Sequence, residues 1–405
     1  MDLERQSRPV AEPLHSPSGP AQAVPQQPDR SVGGSLMAAA LALPALALSA
    51  SLVATPTAHA ETAPERGLIS LKVLDYLDSQ PGQQRIRVTA PSVLVVAPIN
   101  GSWSTSGSFV SDTISGASPA YHTSRMSYLK DLRRAADVDL THYFGAGTAT
   151  VVANYSTERD YVSRGLALRG TWASDDRNTT WSAGLGYNSD RINPTNRAVR
   201  DETKHVTQVL VGVTQVLGTH DIAQLNVGFT RGRGYFTDPY KLFDKRPRER
   251  NVSTVLARWN HHFEDVDGTL RTSWRYYQDS WSVRSHTLGA EFVQTLPQGW
   301  TLTPLLRLYT QSAAEFYVTA EPSDNPFVPN PATQGSFYSG DQRLSGLGAV
   351  TAGLKVAKQI NKDWTVDLKY ERYAQRNSWR AGGSGTPGLA AFDFRSWQFG
   401  VSAAF

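Results

Sequence analysis

An antiparallel transmembrane β-barrel of about sixteen strands is the fold that this 405-residue sequence predicts. Three observations carry the prediction. From residue 61 onward the helical period nearly vanishes and apolar and polar residues alternate in twos. The alternating segments are joined by connections that are short on one side and mostly long on the other. The last segment is an alternating apolar strand that closes on Phe405.

Composition narrows the field before any motif is read. With no Cys, disulfides, thiolate metal sites, Cys nucleophiles and a lipid-modified N-terminal Cys are excluded. Ten Trp, 16 Tyr and 14 Phe are too many for a disordered chain. A mean hydropathy of −0.37 with a single long apolar run excludes a bundle of membrane helices. That run, 36–53, is rich in Ala and Leu and is broken by Pro44. It leads to Ala58, His59 and Ala60, the small-x-small pattern of a signal-peptidase site. The expected organisation is therefore a disordered extension over 1–35, a signal peptide over 36–60 cleaved after Ala60, and a barrel over 61–405. Cleavage would leave 37 basic and 32 acidic residues, a weak excess with no dense block, so nucleic-acid binding is not expected.

The strands follow in order. The first six are expected at 68–77, 85–97, 102–114, 131–143, 148–158 and 161–173. They are separated by tight turns near 78–84, 97–102, 144–147 and 158–161 and by a longer link at 115–130, where Ser115 to Pro119 reads as a small-residue turn. The segment at 179–189 shows the alternation clearly: Trp181, Ala183, Leu185 and Tyr187 interleave with Ser182, Gly184, Gly186 and Asn188. The segments at 203–217 and 221–231 repeat it, the latter with Ala223, Leu225, Val227 and Phe229 on one face. Strands at 249–263, 268–279, 283–296 and 299–312 come next, then 345–359, 363–376 and 390–405. Long links at 190–203, 232–249, 313–344 and 377–391 fall on one side, whereas the turns at 174–178, 218–220, 264–268, 296–299 and 360–363 fall on the other. No helix separates the strands, which argues against parallel α/β folds. The count is even, as single-chain bacterial barrels require, with fourteen as the alternative.

In the final strand Trp397, Phe399, Val401, Ala403 and Phe405 share one face. An apolar strand ending in Phe resembles the signal read by the outer-membrane barrel-assembly machinery. Residues Ser115, Gly116, Ala117, Ser118 and Pro119, with Asp112 and the earlier Arg85, Ile86, Arg87, Val88 and Pro91, resemble a functionally uncharacterised family of Gram-negative outer-membrane proteins. The resemblance covers nearly all of 66–405, with its specific words within 68–125. It implies a barrel in the outer membrane and brings no activity or ligand residues. The partners expected are outer-membrane lipids and the assembly machinery, with a periplasmic protein as a further candidate.

Face assignment puts Asp137, Asp139, Arg169, Arg258, Arg271, Arg275, Glu291, Arg307, Asp367, Lys369 and Glu371 toward the lumen. The reason is cost, since Arg or Lys facing lipid at mid-depth is unfavourable by roughly 2–4 kcal/mol. Arg258, Arg271, Arg275 and Arg307 form a basic ladder on adjacent strands, the constellation that would favour anions, against the commoner arrangement in which the inward charges pair across strands and merely hydrate the lumen. Asp367, Lys369 and Glu371 form a mixed set beside it. Two further groups sit in long links. Glu321 and Asp324 are candidates for a constriction folded into the mouth, against the commoner solvated loop. Lys241, Lys245, Arg246, Arg248 and Arg250 are candidates for binding lipopolysaccharide phosphates at the rim. No HExxH, GxSxG, P-loop or dinucleotide fingerprint occurs, and His261 and His262, adjacent on a strand, face opposite sides, so neither an enzyme nor a cofactor is expected. The leading expectation is a porin-like channel for passive or weakly selective diffusion of small solutes. The alternative is an occluded structural or partner-binding barrel, such as a sheath around a periplasmic or electron-carrying component.

Overall fold

A computed structural model of the chain describes residues 62–119, 126–241, 244–319 and 337–405. The extension and signal segment expected over 1–60 lie outside these residues. Sixteen antiparallel strands close into one barrel: β1 (Leu68–Gln80), β2 (Gln83–Asn100), β3 (Trp103–Pro119), β4 (Met126–Phe144), β5 (Gly147–Thr157), β6 (Tyr161–Ala173), β7 (Thr179–Ile192), β8 (Glu202–Val216), β9 (Asp221–Gly234), β10 (Glu249–Phe263), β11 (Gly268–Asp279), β12 (Arg284–Leu296), β13 (Trp300–Gln311), β14 (Leu347–Gln359), β15 (Trp364–Arg376) and β16 (Phe392–Ala404). Each strand pairs with its sequence neighbours, and β16 pairs with β1 in an unbroken register from Leu68 opposite Ala404 to Ser79 opposite Asp393. Closure removes the sheet edge, which is what allows a sheet to sit in a bilayer without orphaned backbone groups.

Period-two alternation sorts the side chains. On β6 to β9 the outward set includes Leu166, Leu168, Trp181, Leu185, Val209, Val211, Leu225 and Val227, all exposed. The residues between them, among them Asn188, Gln208, Asn226 and Thr230, are buried in the interior. An apolar exterior around a polar interior inverts a soluble protein and matches a lipid-facing wall. Tight turns crowd one end. At Glu264–Val266 a single 3-10 turn is followed by Asp267 at φ 47°, the left-handed geometry that Asp tolerates better than bulky residues. That end also holds the β16–β1 seam, where Gly67 and Phe405 exchange backbone hydrogen bonds of 2.8 and 2.9 Å. The other end carries the long loops and faces outward from the cell.

One expected turn is a strand. Ser115 to Pro119 continue β3, with Ser115 opposite Lys130 and Pro119 opposite Met126. The run of small residues looks like a turn because it lacks an apolar period, yet ladder hydrogen bonds to β4 need only backbone, and a Pro is tolerated at the strand's last position. The β3–β4 hairpin thus stands taller than the alternation alone suggests.

At the long-loop end the link between β15 and β16 folds against β14. A Cβ on Gly348 would lie 2.0 Å from the Trp379 carbonyl oxygen, and backbone cannot yield as a side-chain tip can. Gly348→Val is expected to destabilise the barrel by about 1–3 kcal/mol through overpacking. Its folded band should convert to the unfolded mobility at lower temperature on an unheated gel series, whereas an unchanged conversion temperature would contradict this packing.

Candidate channel wall and mouth

All eleven residues assigned inward lie on the interior face. Arg258 is opposite Gln224 and Ser273, Arg271 opposite Glu291, Arg275 opposite Leu256 and Thr287, and Arg307 opposite Gly289 and Thr351. The four arginines are therefore spread over β10 to β13 on one sector of wall. Of the four, Arg258 donates a side-chain hydrogen bond to Gln224 Oε1 at 3.2 Å. Among the described residues no carboxylate lies within ion-pair distance of Arg271, Arg275 or Arg307, although Glu291 sits across from Arg271. Arg307 is exposed while facing inward, so solvent reaches the lumen at its level.

The neighbouring sector is mixed in sign and internally paired. Lys355 approaches Asp367 at 3.7 Å, and Lys369 approaches Glu371 at 3.0 Å. These pairs neutralise β14 and β15, with the inward Lys72 of β1 beside them. Toward the outer end the interior face of β1, β2, β15 and β16 is packed with aromatic and apolar side chains. Tyr76, Ile86, Val88, Tyr373 and Phe394 pack together, with the Tyr373 and Phe394 rings stacked at 4.7 Å.

At the same end the described parts of the loop between β9 and β10 (235–241 and 244–248) meet those of the loop between β13 and β14 (312–319 and 337–346). Asp244 and Lys245 pair with Ser339 and Tyr338 in a two-residue antiparallel ladder. Asp341, 1% exposed, is the hub. It accepts from Arg343 Nε at 2.9 Å, from Arg343 Nη2, and from Arg246 Nη2 at 2.7 Å. Arg246 also binds Asp244 at 2.9 Å, and Arg343 reaches Asp238 at 3.1 Å. Gln80, at the tip of β1 three strands along the ring from β14, donates to Gln342 at 3.4 Å. On the other side Tyr240 donates to Asp160 and accepts from the Thr195 amide at 2.8 Å, tying in the links that precede β6 and β8. Loops from both sides of the ring are thus joined over the mouth.

The electrostatics of this cluster are those of charges removed from water. Burial pushes the Asp341 carboxyl up, but Arg343, Lys241 and Arg246 outweigh it and hold the group well below the usual carboxylate range. Burial pushes Asp244 up, with Arg246 opposing. Burial pulls Lys241 down, against the attraction of Asp341 and Asp238. An apolar pad supports the latch: Trp281, 1% exposed, meets Phe236 and Phe316 edge-on at 5.5 and 5.4 Å and stacks under the Arg250 guanidinium at 4.2 Å.

Glu321 and Asp324, the expected mouth acids, lie outside the described residues. The described acids that reach across the mouth are instead Asp238, Asp244 and Asp341. The expected rim cations are also reassigned. Arg246 is held by Asp244 and Asp341, Arg248 by Glu202, and Arg250 by Asp279 at 2.7 Å, while Lys241 is enclosed among Asp341 and Asp238. Arg246 and Arg250 are buried with their anions, as a buried cation requires, whereas Arg248 pairs with Glu202 while still exposed and Lys245 stays exposed at the rim. The signal was present as alternating signs along both loops, Asp238, Lys241, Asp244, Arg246 and then Asp341, Arg343, but pairing between loops about 100 residues apart has no period to reveal it. At the closing strand Trp397, Phe399 and Phe405 are exposed on the outer face, with Val401 between them.

A closed sixteen-stranded barrel with an apolar exterior and a charged interior is an outer-membrane β-barrel of Gram-negative type. The chain belongs to the family described as "Protein of unknown function (DUF3570)", whose model matches residues 120–396. The Ser115 to Pro119 stretch precedes the matched residues. No curated protein matches the sequence. Among solved structures the chain is similar to a bacterial polysaccharide outer membrane secretin, at 9% identity and a TM-score of 0.49, covering 83% of this chain and 98% of that one. It is also similar to CdiB from Acinetobacter baumannii (9% identity, TM-score 0.43, 83% and 60% covered). OmpT of Vibrio cholerae is a further likeness (7% identity, TM-score 0.41, 84% and 99% covered).

Proposed function

We propose that the barrel is a diffusion channel for small hydrophilic solutes, with a preference for anions and a mouth closed by the latch centred on Asp341. The observation that carries this reading is the arginine sector. Arg271, Arg275 and Arg307 face a solvent-reached lumen without carboxylate partners at ion-pair distance among the described residues, so their field acts on passing solutes. Passage uses hydration and charge steering, with no covalent step. In a swelling assay, vesicles holding the barrel should admit a small organic anion faster than an uncharged sugar of equal mass. Entry of neither solute, with the barrel folded, would sink the proposal.

A second reading is supported by the mouth itself. Joined loops at the outer end and an aromatic cluster on the inner wall suit a barrel whose lumen is filled or served by a periplasmic partner, entered from the short-turn end. That reading expects no solute entry even after the latch is broken.

A further inference from the structure

The outer wall carries arginines of its own, placed at one height. Arg164, Arg231, Arg284, Arg372 and Arg395 all point outward near the long-loop end and are exposed. On four strands the Arg is the next outward residue beyond a ring: Phe229 then Arg231, His286 then Arg284, Tyr370 then Arg372, and Trp397 then Arg395. Rings at this position mark the interface between hydrocarbon and headgroups. Arg395 lies nine residues from Ala404, and a tilted strand climbs to about 23 Å over that distance, close to the height of the apolar band. The guanidinium groups therefore emerge at headgroup level in the outer leaflet.

Three other outward arginines at this end are paired, Arg87 with Asp75 at 2.8 Å, Arg191 with Asp201 and Arg233 with Glu249 at 3.1 Å, whereas the exposed Arg134 of β4 has no carboxylate at ion-pair distance among the described residues. The five above have no carboxylate at ion-pair distance among the described residues. Arg372 and Arg395 are moreover directly opposite each other on β15 and β16. Like charges in that position repel, and the sheet gains nothing from them unless an anion sits between. Arg87 extends the row, since Arg395 faces Leu77 and Leu77 faces Arg87.

We infer that Arg372 and Arg395 form a binding site for a phosphate group of an outer-leaflet glycolipid, with Arg164, Arg231 and Arg284 as further contacts around the same belt. Arg suits the role because its planar fork engages two phosphate oxygens at once. The site is on the lipid-facing wall and is independent of what the lumen conducts.

The test is the heat-conversion temperature of the folded full-length barrel titrated with diphosphorylated lipid A, dephosphorylated lipid A, or inorganic phosphate. Diphosphorylated lipid A is expected to raise the wild-type temperature, and the other two probes are not. The R372S/R395S variant should lose at least half of that rise, R372K/R395K should keep more of it, and R191S, whose arginine is already paired, should keep all of it. Without lipid the R372S/R395S barrel should be at least as heat-resistant as wild type, because a repulsion has been removed. An equal rise with dephosphorylated lipid A or with inorganic phosphate overturns the inference, as does a full rise in R372S/R395S. Should that double variant fail to fold, R395S alone and the dephosphorylated probe decide the matter.

Discussion

Replacing Asp341 with Asn is expected to unlatch the mouth. The substitution keeps the shape of the hub but removes the charge that Arg343, Arg246 and Lys241 share, leaving them with Asp238 and Asp244 alone. Breaking a buried pair by removing one partner costs about 3–5 kcal/mol, because the remaining charge stays buried without compensation. Spent on the closed arrangement of the loops, that shifts the open-to-closed ratio by roughly two to three and a half powers of ten. The readouts are open probability at fixed voltage and the rate at which trypsin cleaves the folded barrel after Arg343. Both should rise. The sign of the pH dependence follows from the same residue. A carboxyl held below its unfolded value contributes stability that is present above that value and lost as pH falls through the lower one. The wild-type latch should therefore hold from neutral pH down through the ordinary carboxylate range of about 4. A D341N barrel as closed and as protease-resistant as wild type would remove the latch from the account.

The second large effect is on selectivity. Arg275→Ser with Arg307→Ser removes two inward charges from the sector that lacks carboxylate neighbours at ion-pair distance. In a hydrated lumen each charge is worth about 1 kcal/mol to an ion passing at close range. Anion permeability should drop by about fivefold per charge removed while cation permeability rises, so the anion-to-cation ratio, read from the reversal potential across a salt gradient, should fall by at least that factor. The matched control is Lys369→Ser with Glu371→Ser, which deletes a pair that already cancels at 3.0 Å and should leave the ratio nearly unchanged. Equal shifts from the two pairs would mean that the arginine sector has no special field.

The barrel was legible because its evidence is periodic. Trp181, Leu185 and Tyr187 recur every second residue, and one residue of slip would turn them into the lumen, so register and face come together. The same parity brought every inward charge to its wall, from Asp137 on β4 to Glu371 on β15. The Ser115 to Pro119 strand was missed because small residues pair through backbone and leave no apolar trace. The mouth was missed for a different reason. Asp341 meets Arg246 across 95 residues of chain, and a contact between two loops is decided by where the barrel holds their ends. Cations such as Arg246 and Arg250 therefore looked free in the sequence while being the most tightly held in the structure.

Single-channel recording in a planar bilayer, with wild type and D341N side by side, tests most directly whether the barrel is a water-filled, arginine-lined pore whose mouth Asp341 holds shut. Wild type should give brief anion-preferring steps, and D341N long-lived steps of the same preference. Two folded, heat-modifiable barrels that both remain silent would contradict this reading, and would leave a lumen filled by its own side chains or by a partner.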